Sequence, residues 1–84
     1  MNSKQAKTLA AVFVTPTSPS IVWDDIESLL KAVGCTLVEG KGSRVRFVRD
    51  EEIEAFHRPH PTKEAKRYQV EAARAYLVRL GVKP

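Results

Sequence analysis

The sequence predicts an α+β fold, a three-stranded antiparallel sheet with helices packed on one of its faces. Three observations point there. Two segments, "VWDDIESLLKAVG" and "YQVEAARAYLVRLG", carry apolar residues at helical spacing, and each closes on a glycine. Between them "SRVRFVR" alternates strictly, with Val45 and Phe47 on one side and Arg44 and Arg46 on the other, the pattern of a half-buried strand. Turn signals, "GKG" and "DEE", bracket that strand, so its neighbours run antiparallel to it.

The elements follow in chain order. Ser3 is placed to cap a first helix that carries Ala6, Leu9, Ala10 and Phe13 along one side. The prolines of "TPTSPS" (15–20) break it and read as a linker. Residues 1–20 are therefore expected to be a helical extension and linker, and residues 21–84 the main domain. In the second helix Val22, Trp23, Ile26, Leu29, Leu30 and Val33 form the apolar stripe, and Gly34 ends it. Asp24, Asp25 and Glu27 sit in its early turns, where the helix dipole favours negative charge. "CTLVE" is a short β-branched run and "IEAFHR" a third extended one, which completes a meander. The last helix aligns Val70, Ala73, Leu77 and Leu80 ahead of Gly81. One face of the sheet is left open.

At 84 residues the chain is one domain at most. Its 43% hydrophobic and 29% charged residues are a globular balance, not a disordered one. The single cysteine, Cys35, has no internal partner, which fits a small core residue in a reducing compartment. "LAAVFV" is too short for the apolar region of a secretory signal, and no run approaches the ~20 residues that span a bilayer. A cytoplasmic location is expected.

Net charge is +4, and it is unevenly spread. Residues 1–40 hold three Lys/Arg against four Asp/Glu, whereas residues 41–84 hold eleven against six. The basic half also contains both histidines, His57 and His60. A positive surface favours a polyanion, because binding releases condensed counterions. If Val45 and Phe47 face the helices, Arg44 and Arg46 project from the open face ~7 Å apart, close to the spacing of successive phosphates. Arginine suits that task, since its planar fork grips two phosphate oxygens at once. The competing reading pairs them with Glu51, Glu52 or Glu54 across the turn. Gly40 and Gly42 flank Lys41, but this stretch feeds a strand and not a helix, so it is a basic hairpin tip and not a nucleotide-phosphate loop.

"FHRPHP" (56–61) admits three readings. A metal site is the weakest, since two imidazoles fall short of the three or four ligands zinc takes, and Cys35 has no patterned partner. A stiff turn is the plainest, because Pro59 and Pro61 drive Arg58 and His60 into extended geometry. The third is catalysis on RNA. A metal-free ribonuclease needs a base for the ribose 2′-hydroxyl, an acid for the leaving oxygen and cations around the phosphate. Histidine can serve either proton role near neutrality, each worth about 10²–10⁴-fold in rate. That role needs His57 beside the arginines. Packing Phe56 inward turns His57 out, packing Ile53 and Ala55 inward turns it in, and the larger apolar group, Phe56, favours the outward ring.

A helix closing on Gly34, then "VEGKGSRVRF", a third strand ending in "HRPHP" and a final helix ending "LGV" together resemble the HicA toxins of bacterial toxin–antitoxin pairs, over about residues 21–82. The resemblance implies a double-stranded-RNA-binding-domain-like α-β-β-β-α fold with an extra N-terminal helix. It also implies a cofactor-free messenger-RNA interferase and a HicB-like antitoxin protein as partner. The family's Gly-Ser-His motif carries its catalytic histidine, and here the matching stretch is Gly42-Ser43-Arg44. Arginine stays protonated and cannot act as a base. The family's later His-Pro matches His60-Pro61, with His57 just before it. The candidate catalytic residues are thus His57, His60 and Arg44, and the candidate RNA contacts are Lys41, Ser43, Arg46, Arg58 and Lys63. A binding module without catalysis is the alternative, and the loss of that histidine is its support.

Overall fold

Glycine stops two of the three helices, as the sequence predicts. In a computed structural model, which describes residues 1–84, α1 spans Ser3–Val12, α2 Trp23–Ala32 and α3 Arg67–Arg79. Gly34 (φ +98°) and Gly81 (φ +77°) adopt left-handed backbone just past α2 and α3, a conformation that a side chain disfavours. Each helix then closes in the same way. The N–H groups of Gly34 and Cys35 donate to the carbonyls of Lys31 and Leu30, and those of Gly81 and Val82 to Val78 and Leu77. These are Schellman closures, which satisfy carbonyls that the helix end would otherwise leave without partners.

Helix α1 differs from expectation in its cap and its buried side. Asn2, not Ser3, is the cap; its side chain accepts from the Gln5 N–H at 2.8 Å, and the Gln5 side chain accepts in return from the Asn2 N–H. Thr8, Leu9 and Val12 are buried, whereas Ala6 and Ala10 are exposed and Phe13 is half-buried. The branched side chains of Leu9 and Val12 remove more apolar area from water than two alanines can, so they set the rotation of the helix. Leu9 and Val12 join the same hydrophobic cluster as Trp23, Phe47 and Tyr76. The prolyl stretch after α1 is tied down as well. Arg74 donates to the carbonyls of Val12 and Val14 and to the Thr17 hydroxyl, and Thr17 donates to Glu71.

The sheet is the predicted antiparallel meander, β1 (Thr36–Glu39), β2 (Arg44–Arg49) and β3 (Glu52–His57), in the order β1-β2-β3. Between β1 and β2, Gly42 (φ +61°) supplies the left-handed residue of a turn closed by the Arg44 N–H on the Lys41 carbonyl. The sequence pattern fixes which side faces the helices. Val45, Phe47 and Phe56 are buried, and Phe56 packs 5.1 Å from Trp23 and 6.1 Å from Phe47, ring centre to ring centre. Such tilted and edge-on contacts are favoured by the ring quadrupoles. Tyr76 on α3, absent from the predicted stripe, is fully buried with its hydroxyl 3.1 Å from the Phe47 carbonyl and 3.0 Å from the Glu52 carbonyl. It pins α3 to the β2–β3 end of the sheet. Cys35 is buried beside that hydroxyl, as expected of a core thiol.

The architecture is therefore α+β, with three helices and a three-stranded antiparallel sheet in an arrangement consistent with a double-stranded-RNA-binding-domain-like fold. No helix is long and apolar enough to cross a membrane.

Candidate nucleic-acid interface

The strand register decides which side chains share the open face. Val45 faces Phe56 across β2 and β3, so Arg44 faces His57 and Arg46 faces Ala55. Because Phe56 points into the core, His57 points out with the two arginines, and all three are exposed. The Arg58 N–H donates to the Ser43 carbonyl at 2.8 Å, one residue beyond the Arg44–His57 pair. That bond makes the pair a non-hydrogen-bonded one, the closer of the two antiparallel kinds, with Cα atoms about 4.5 Å apart. A guanidinium and an imidazole thus rise side by side from adjacent strands.

Neither arginine is neutralised. Glu52 and Glu54 pair with Arg79 of α3, at 3.0 and 2.9 Å, on the helix side of the sheet. Arg44 and Arg46 take part in none of the chain's five ion pairs. The cross-turn pairing that competed with the phosphate reading is absent. Lys41, Arg44, Arg46, Ala55 and His57 line one depression of about 540 Å³ on this face. Away from it the face turns apolar, with Val48 half-buried and Ile53 54% exposed.

The other candidates lie elsewhere. Arg58 is turned to the helix side and is fully engaged. Its Nε and Nη2 donate to Glu27 at 2.7 and 3.2 Å, and its Nη1 to Glu39 at 2.8 Å. Its hydrogen bonds to the Glu27 and Glu39 carboxylates hold its guanidinium even more firmly protonated than usual. Its carboxylate partner Glu27 is buried, and it also accepts from the Trp23 indole N–H. Burial alone would push the Glu27 carboxyl up, but the hydrogen bonds from Arg58 and Trp23 and the Arg58 charge outweigh it and hold the group below its ordinary value. Ser43, His60 and Lys63 are exposed but do not line the depression.

This Trp23–Glu27–Arg58–Glu39 network was not read from the sequence, although a signal was present. Glu27 lies four residues after Trp23 and one after Ile26, on the buried stripe of α2, so a carboxylate there needs a cation. The network ties α2 to the end of β1 and to the first residue past β3. Two backbone bonds extend the tie, from the Trp23 N–H to the Lys63 carbonyl and from the Ala65 N–H to the Ile21 carbonyl. Gln69, buried in the first turn of α3, donates to the His57 carbonyl at 2.6 Å. The strand end that carries His57 is thereby held from three sides. No three His, Cys, Asp or Glu side chains gather in a way that could hold a metal ion.

The model of the HicA toxin of bacterial toxin–antitoxin systems matches residues 23–81, the greater part of the chain. The chain belongs to the HicA toxin family. The match spans α2, the whole sheet and α3, and leaves α1 outside it. Comparison with curated proteins gives no match, and comparison with solved structures gives none. Family membership makes this a toxin of a toxin–antitoxin system, with an antitoxin as its kind of partner.

Proposed function

We propose that this HicA toxin binds messenger RNA on the open sheet face and cleaves it without a metal, which would block translation in the cytoplasm. The Arg44–His57 facing pair carries the reading. A phosphodiester seated in the depression meets Arg44 and Arg46, with Lys41 at the hairpin tip beside it. His57 takes the 2′-hydroxyl proton, the 2′-oxygen bonds to phosphorus, and the P–O5′ bond breaks. The departing oxygen takes its proton from water, since His60 does not line the depression. The guanidiniums stabilise the charge that builds on the phosphoryl oxygens, and the fork geometry lets each grip two of them. Arg58, engaged with Glu27 and Glu39, serves by holding the His57 strand end in place.

Purified protein incubated with RNA in chelator tests this directly. Cleavage should yield 2′,3′-cyclic phosphate ends and fall by about 10²–10⁴-fold in His57→Ala. Full activity in a His57→Ala/His60→Ala double variant would remove histidine from the mechanism.

Arg44 in place of the family's histidine favours a second reading, a binding module that has lost catalysis. Under it the wild type binds RNA without cutting, and Arg44→His, which recreates the family motif, switches cleavage on.

The antitoxin partner is proposed to be a HicB-like protein that covers the same face. Acidic groups would meet Arg44 and Arg46, and an apolar patch would bury Ile53. Co-purification with the neighbouring gene product tests that assignment, and Ile53→Asp should weaken it.

A further inference from the structure

On the RNA-cleaving reading, we infer that Tyr68 with Lys66 and Arg67 forms a stacking platform for an unpaired base next to the scissile linkage, so that the substrate is single-stranded and not duplex RNA. Gln69, Val70 and Ala73 take the inward positions of α3, which forces the Tyr68 ring outward; it is 61% exposed. A lone exposed tyrosine needs no explanation. This one is not alone.

Lys66 and Arg67 precede it in the chain and share its depression, both are exposed, and neither takes part in an ion pair. Glu64 is the one carboxylate that lines the depression against these two cations, so an excess of one positive charge remains. Tyr68, Lys66, Arg67, Thr62 and Pro19 line an open depression of about 790 Å³. An aromatic face amid unpaired cations matches the two recurring parts of a nucleotide, a π-surface and a phosphate. An acidic peptide would use the cations and leave the ring idle.

The platform's helix is also bonded to the strand that carries the proposed cleaving histidine. Gln69 follows Tyr68 in the chain and bonds the His57 carbonyl at 2.6 Å. The two depressions share no lining residue. Gln69 is the link between the helix that carries Tyr68 and the strand that carries His57, so an RNA strand bound at Arg44 and His57 would reach Tyr68 by passing the end of β3. Only an unpaired base has a face to offer there, because bases inside a duplex are covered by their neighbours. The fold is similar to that of a duplex reader, and Tyr68 points to a different substrate.

The test is fluorescence anisotropy with a labelled 2′-O-methyl RNA oligomer, which lacks the attacking hydroxyl and stays intact, as a single strand and annealed to its complement. Tyr68→Ala should weaken single-strand binding by about 5- to 150-fold, the equivalent of about 1–3 kcal/mol for one stacked base. Tyr68→Phe should retain it, and duplex binding should be the same in all three proteins. Circular dichroism checks that the exposed position leaves folding intact. Equal single-strand binding in Tyr68→Ala, failure of phenylalanine to substitute, or a parallel loss on duplex overturns the platform. Cleavage of unmodified RNA by the wild type separates the two claims. A protein that cleaves but ignores Tyr68 sinks the platform alone. One that binds through Tyr68 and never cleaves supports the platform and sinks the nuclease. One that binds no RNA sinks both.

Discussion

Arg58 and Glu27 form a side-on, two-bond ion pair, at 2.7 and 3.2 Å, beneath the strand end that presents His57. The pair explains how an exposed imidazole can be held steady. Glu27 is nearly buried, with 11% of its side chain exposed, while Arg58 keeps 34%. Removing Arg58 leaves a carboxylate in the core with the Trp23 indole as its one remaining hydrogen-bond donor. A fully buried pair broken in this way costs about 3–5 kcal/mol, and solvent at Arg58 reduces that here. Arg58→Ala should therefore lose about 2 kcal/mol, a fall of roughly 10 °C in melting temperature for a domain of this size. Arg58→Lys should recover only part of it, since an ammonium cannot match the fork. Thermal unfolding followed by circular dichroism measures both; equal stability of all three proteins would show that the network is ornamental.

The same carboxylate gives the fold an acid dependence with a definite sign. Its folded value lies below that of the unfolded chain, so its stabilisation is complete above the ordinary carboxylate range near pH 4. It is lost as pH falls through the lower folded value. Glu27→Gln keeps the shape and loses the titration. The melting temperature of the wild type should drop more steeply than that of Glu27→Gln between about pH 5 and pH 2. Parallel curves would mean that other carboxylates dominate acid unfolding.

Much of this fold was legible in the chain because its signals are local and agree. The glycine stops, the alternation of β2 and the turn signals on either side of it each depend on a few neighbouring residues, and the packing respects them. The outward His57 followed from a single comparison, Phe56 against Ile53 and Ala55 for the core, and the larger group is the one buried. What escaped was set by residues far apart in sequence. Glu27 on the buried stripe signals the need for a cation, but its partner Arg58 lies thirty-one positions away and nothing local says which cation answers. The rotation of α1 also depends on what its partners leave room for, and an alanine-rich stripe is too weak a pattern to fix it. Arg58 was legible as a cation but not as one already engaged.

Phosphate contact has a signature in salt dependence. If Arg44 and Arg46 each neutralise one phosphate of a single strand, log K falls with log salt, and each arginine contributes about 0.7 to the slope. Arg44→Gln and Arg46→Gln should each flatten the plot by about that amount, while Arg79→Gln, which breaks ion pairs to Glu52 and Glu54 on the helix side, should leave it unchanged. Titrations of labelled single-stranded RNA at several salt concentrations provide the slopes. A plot unaffected by either arginine would place the RNA off this face.

The N-terminal twenty residues lie outside the family match, yet two of their apolar side chains, Leu9 and Val12, are inside the core. Leu9 is 6% exposed and Val12 is fully buried, against helices that also support the sheet. Leu9→Ala should cost about 2–4 kcal/mol, through lost burial and the cavity left behind, which for a small domain is about 10–20 °C in melting temperature. Ala10→Ser, on the exposed side of the same helix, should stay within about 0.5 kcal/mol of the parent. The contrast isolates packing from helix propensity, because both substitutions sit in the second half of α1. Arg74→Ala, which releases the carbonyls of Val12 and Val14, should lie between the two. A Leu9→Ala protein that melts with the parent would make α1 a dispensable appendage. A large loss makes it part of the folding unit, so that the open sheet face cannot be studied on a fragment trimmed to residues 23–81.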